Sequence, residues 1–154
     1  MIKLGWALTV YLFLSFALFL TTSNTIGGGI IYLFLLLPFY GIVLLGWWLF
    51  VWQNRNKTAK IKYWIWSIIL VLQVATILTS PGNCFGIKQN NSRCYSNLQI
   101  LLGYAPSTGP SSSPHWNEVE NAFLGLLVAY GVALVVGLSC TSLAKSINNL
   151  TTEE

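Results

Sequence analysis

Residues Ile30–Trp52 read IIYLFLLLPFYGIVLLGWWLFVW, twenty-three positions without a charged side chain. A helix of about 20 residues at ~1.5 Å per residue crosses a hydrocarbon core of ~30 Å, so a run of this length spells a membrane span. Lipid offers no partner to a backbone N–H or C=O, and the run lacks the alternation of a barrel strand. It must therefore close its own hydrogen bonds as a helix.

Three further runs on either side share this character: Leu4–Thr22, Tyr63–Ser80 and Ala122–Ser142. The chain is 55% hydrophobic, 14% aromatic and 8% charged, against about 25% charged in a soluble domain. The expected fold is an all-α integral membrane protein, a single domain of four transmembrane helices in an up-down bundle. Its spans are 4–22, 30–52, 63–80 and 122–142, with a basic loop at 53–62 and a larger cap loop at 81–118. The first run has a basic start but no clean small-x-small cleavage site, and it is long for a signal sequence, so a retained anchor is expected.

The charges orient the bundle. Arg55, Lys57, Lys60 and Lys62 crowd the connection between the second and third runs. The positive-inside rule makes that loop the cytoplasmic anchor, and counting crossings then puts Lys3 and Lys145 on the same side. Both termini are thus expected in the cytoplasm, with 81–118 in the periplasm, a lumen or the extracellular space. Lys88 and Arg93 fall on that outer side with Glu118 and Glu120. The net charge of +4 calls for no nucleic acid, because a short basic loop at a bilayer surface is satisfied by anionic headgroups.

Six of the seven tryptophans, Trp6, Trp47, Trp48, Trp52, Trp64 and Trp66, fall near the cytoplasmic ends of the first three runs, as an aromatic belt at headgroup level would place them. Pro38 removes a backbone donor and predicts a kink in the second helix. In the fourth run Gly125, Ala129, Ala133 and Gly137 recur every four residues, a small-residue row that lets another backbone approach closely, within the chain or between chains. Gln73, Thr76 and Ser80 share one face of the third helix. Gln73 and Tyr130 lie at similar depth, so an interhelical polar contact is expected there, with Gln73 facing the interior.

Pro81 and Gly82 end the third helix, and CYSNLQILLGY has enough leucine for a short helix or surface-lying turn. APSTGPSSSP reads as a linker without core-forming capacity, and the acids of PHWNEVENAF suit the first turn of the last helix. Cys84 and Cys94, in an oxidising compartment, are expected to form a structural disulfide. Closing a loop of about 10 residues contributes roughly 2 to 3 kcal/mol. Cys140 lies near the opposite end, as a small packing residue. The sequon at Asn90 would be used only in a eukaryotic secretory setting.

No metal site is expected: Cys84, Cys94, His115 and Glu118 share a side but match no strong zinc spacing. No cofactor motif occurs. Membrane enzymes that make disulfides use a CxxC pair, which is absent here, so thiol oxidoreduction ranks third among the functional readings. An oligomeric pore or small-solute channel, lined by the polar face of the third helix, is the alternative. The leading expectation is a non-enzymatic polytopic protein, an accessory, assembly or scaffolding subunit. Its partners are the lipid bilayer and other membrane proteins or further copies of itself. Spans without ionisable residues and a small-residue packing row support that expectation.

Overall fold

The computed structural model of the chain describes residues 1–23, 25–85 and 94–144, leaving aside the side chains of residues 27, 58–60 and 142–144. Lys88, the Asn90 sequon, Arg93, Lys145 and the side chain of Lys60 lie outside the described residues. Most of the chain is helical. Helix α1 covers Ile2–Thr21, α2 Ile26–Ile31, a π-helical turn Tyr32–Leu36, α3 Leu37–Gln53, α4 Tyr63–Thr79, α5 Asn97–Leu101 and α6 Asn117–Ser139. Three stretches are long and apolar enough to cross a membrane: Ile2–Thr21, Gly28–Gln53 and Asn117–Ser139. Helix α4 is apolar but shorter, at 17 residues.

The second span begins earlier than its composition suggests. Thr25 caps α2 by accepting from the Gly28 N–H at 3.1 Å, which draws the glycine turn into the helix. Pro38 then makes itself felt upstream. The five-residue π turn ends with the Leu37 N–H donating to the Tyr32 carbonyl, a wide turn that absorbs the step the proline ring would otherwise block. The extra residue in this turn keeps Tyr32, Leu36 and Tyr40, four residues apart, buried along one face.

The other helices bury seams spaced three and four residues apart, the signature of helices lying side by side. These are Gly5, Leu8, Leu12, Ser15 and Phe19 on α1, and Ile65, Ile69, Gln73 and Thr76 on α4. On α6 they are Phe123, Leu127, Tyr130, Leu134 and Gly137. The remaining faces carry large apolar side chains outward, among them Phe13 at 75% exposure and Phe34 at 78%. Two close pairs form, α4 with α6 and α1 with α3. Gly137 makes the first possible, since a Cβ there would sit 2.7 Å from Ile69 Cδ1 and 3.4 Å from Ile65 Cγ2.

The last helix begins at Asn117 with Glu118 and Glu120 in its first turn, as the sequence leads one to expect, but its end needs correction: it stops at Ser139 rather than Ser142. Residues Ser142–Ala144 instead form strand β4, antiparallel to β1 at Thr58–Lys60, so the basic loop and the chain after α6 are laced together. The structure is also not wholly α-helical. At the opposite end β2, Pro81–Asn83, pairs antiparallel with β3, Tyr95–Ser96.

Candidate functional site

The middle of the bundle holds five polar side chains from four helices. Tyr130 of α6 is the hub: its hydroxyl lies 2.6 Å from Tyr40 OH, 3.1 Å from Ser15 Oγ and 3.3 Å from Tyr11 OH. Ser15 Oγ is 2.7 Å from Tyr40 OH, and Tyr11 OH donates to Gln73 Oε1 at 2.9 Å. Gln73 Oε1 carries no proton and must end the chain as an acceptor. The order Ser15 to Tyr40 to Tyr130 to Tyr11 to Gln73 therefore gives every hydroxyl an acceptor. Gln73 faces the interior, 4% exposed, but the hydroxyl of Tyr11 stands between it and Tyr130.

Sequence reasoning missed Tyr11, Ser15 and Tyr40. The available signal was a phenol or hydroxyl in mid-span, where water cannot satisfy it and a protein partner must. Toward the disulfide end, Tyr32 OH donates to Ser80 Oγ at 2.8 Å, and Phe19 packs against both Tyr32 and Tyr130 at centroid separations of 5.0 and 5.7 Å.

At that end Cys84 and Cys94 are joined as a disulfide. Three polar side chains organise the cap around it. Asn83 Nδ2 donates to the carbonyls of Pro106 and Gly109, Tyr95 OH to those of Ser111 and Ser113, and Gln99 Nε2 to that of Pro114. The Pro/Ser segment thus lies across the cap through its backbone oxygens. Ser96 and Gln99 form a capping box that starts α5. Gly82 lets this piece close, because a Cβ there would collide with Asn97 and Ile100. Asn97 Nδ2 then reaches back to the carbonyls of Thr22 and Ile77, and Thr25 Oγ1 donates to that of Pro81, tying the cap to both helix pairs.

His115 stacks flat on Tyr95, with ring centroids 4.2 Å apart and an interplanar angle of 7°. Its Nδ1 lies 2.9 Å from Glu120 Oε1, which also accepts from the Trp116 N–H at 3.2 Å. Glu118, the acid considered with His115 in the sequence, points out and is exposed. Among the described residues no group of three or more His, Cys, Asp or Glu is placed to hold a metal ion.

The small-residue row of α6 does not act as one internal face. Steps of four residues advance about 40° more than a full turn, so the row winds around the helix. Gly125 and Ala129 are exposed, Ala133 is partly packed against the core, and only Gly137 is buried. A Cβ on Gly125 would meet nothing within 4 Å. Arg55, Lys57 and Lys62 are exposed at the end opposite the cap. The tryptophans there divide. Trp6, Trp52 and Trp64 face outward, whereas Trp47 is buried and Trp48 donates to Thr9 Oγ1 at 3.1 Å.

Long apolar helices with outward apolar faces, a hydroxyl-filled interior and a braced cap define a helical protein built from membrane-compatible spans. Comparison with known proteins returns no matching family model, no matching curated protein and no matching solved structure.

Proposed function

We propose that this chain is a four-span membrane protein acting as an accessory, assembly or scaffolding subunit. Both termini and the basic loop lie in the cytoplasm, and the cap lies outside. The observation that carries the reading is the outer half of α6, where Gly125 and Ala129 leave a shallow outward face beside a rigid cap. In lipid, helices associate through close packing at such small residues rather than through a hydrophobic drive. The interior offers a contrast: its hydroxyls are spent on one another and hold the four helices in register.

The pore alternative draws no support from within the chain, because the polar face of α4 is plugged at Gln73 by Tyr11. Any passage would have to run between chains.

Replacing Ala129 by Leu tests the proposal, since the added bulk points away from the core. Native-gel sizing of gently solubilised membranes should show the variant moving from a larger complex to the lone chain, with its unfolding midpoint unchanged. A wild-type chain that migrates alone, or a complex indifferent to Ala129→Leu, would overturn the scaffold reading.

A further inference from the structure

We propose that α5 and the turn after it form an interfacial anchor: Leu101, Leu102 and Tyr104 enter the outer leaflet of the bilayer and complete the lipid-facing surface that the short helix α4 leaves unfinished. The proposal rests on the four-span reading above.

Helix register is the first observation. Helix α4 lies against α6 with Gly137 facing Ile65 and Ile69. Gly137 and Ile65 are each two residues from the basic end of their helix, so the pair is flush there. Counted from that contact toward the cap, the last residue of α4, Thr79, comes level with Gly125, eight residues and about 12 Å short of the start of α6 at Asn117. The pair therefore ends in a step. Helix α4 covers about 25 Å with its 17 residues, and the ~5 Å it lacks against a ~30 Å hydrocarbon core falls within that step.

Helix α5 occupies the step. The Asn97 N–H donates to the Ser80 carbonyl at 2.9 Å, and Asn97 Nδ2 to those of Thr22 and Ile77, which fixes α5 at the outer ends of α1 and α4. Gly103, at φ 76°, then closes α5 in a Schellman turn, with the Tyr104 N–H on the Gln99 carbonyl at 2.9 Å. The turn sets the Tyr104 ring against Trp116 at the start of α6, with centroids 5.0 Å apart. Trp116 is the one tryptophan outside the group near the basic end, and headgroup level is where such aromatic pairs are favoured.

Polarity is the second observation. The one buried side chain of α5 is the polar Gln99, whereas Leu101 is 73% exposed and Leu102 and Tyr104 are more than half exposed. That is inside out for water and suits lipid. Residues 97–105 carry no charge, and the exposed hydroxyls of the cap, Ser107, Thr108 and Ser112, lie instead on the Pro/Ser segment. A partner helix needs small residues for close approach, and the outward side chains here are large. Lipid fits both the height of α5 and its polarity.

The test uses the full-length chain with Cys140→Ala and the Cys84–Cys94 bond left oxidised. Single cysteines, Leu101→Cys, Leu102→Cys, Val71→Cys and Ser112→Cys, are labelled with a small fluorophore, and each protein is placed in phosphatidylcholine nanodiscs, which are open to solvent on both faces. Emission is challenged with aqueous iodide and with phosphatidylcholine bearing a nitroxide either beside the ester or at mid-chain. Leu101→Cys and Leu102→Cys should be quenched by the nitroxide beside the ester and should lose most of the iodide quenching seen at Ser112→Cys. Val71→Cys, at the middle of α4 and exposed, should respond most to the mid-chain nitroxide. Iodide quenching at Leu101→Cys as strong as at Ser112→Cys would show a surface facing water and overturn the proposal. Protection of Leu101→Cys from both reagents, as beneath a partner protein or a second copy, would overturn it as well. Val71→Cys shielded from both nitroxides would instead sink the four-span reading beneath it.

Discussion

Tyr130 shows how much a single hydroxyl can hold in a membrane interior. It touches three other hydroxyls, whereas Gln73 accepts from one. Interhelical hydrogen bonds in membrane proteins average about 0.6 kcal/mol, because the unfolded helices also find partners in the bilayer. Tyr130→Phe should therefore cost about 1–2 kcal/mol, two to three such bonds, and Gln73→Leu about 0.6 kcal/mol. Reversible unfolding in mixed micelles measures both, and equal costs would mean that the network is not centred on Tyr130. Gln73 was legible in the sequence because an amide inside an apolar run stands out. Tyr11 and Tyr40 were not, since phenols are common in such helices and their depth does not reveal which way each helix is rotated. A direct contact between Gln73 and Tyr130 was expected from their similar depth, but the Tyr11 hydroxyl from α1 stands between them, and only three-dimensional packing could show that.

At the scale of elements, helix α6 separates two meanings of a small residue. Gly137 is small because Ile65 and Ile69 of α4 press against it, while Gly125 faces open space. Gly137→Leu should destabilise by about 1–3 kcal/mol through overpacking. Gly125→Leu should stay within about 0.5 kcal/mol in the isolated chain. If the two glycines respond alike to unfolding, the assignment of inner and outer faces on α6 is wrong. A four-residue repeat is easy to see in a sequence, but its drift around the helix makes it a poor guide to a single face; the three-and-four spacing of Phe123, Leu127, Tyr130, Leu134 and Gly137 is the better one. The cap divides in the same way. Its cysteine pair was legible from compartment and spacing, whereas the roles of Asn83, Tyr95 and Gln99 were hidden. They act on backbone carbonyls, which carry no side-chain signal. Replacing Cys84 and Cys94 together by Ser should cost about 2–3 kcal/mol of cap stability. That loss is readable as earlier proteolysis of the 81–118 segment, and an unchanged digestion pattern would show that the hydrogen bonds alone hold the cap.

The whole molecule is two helix pairs fastened at the cap and at the hydroxyl network, with cavities between them at the basic end. Its membrane-compatible helices were legible in its long apolar runs. The short strands that lace the basic loop to the chain after α6 were not, because three-residue pairings leave almost no pattern. The proposed four-span architecture turns on α4. At 17 residues it reaches about 25 Å, less than a ~30 Å core, a mismatch that bilayer thinning and the long flanking side chain of Lys62 can absorb. If α4 crosses, the basic loop and the cap lie on opposite sides of the membrane; if it does not, they share a side. The direct measurement is labelling by a membrane-impermeant maleimide in intact cells, with Cys140 replaced by Ala and single cysteines introduced as Ser107→Cys or Asn56→Cys. With four spans, Ser107→Cys labels from outside and Asn56→Cys only after permeabilisation. Labelling of both from the same side would contradict that architecture.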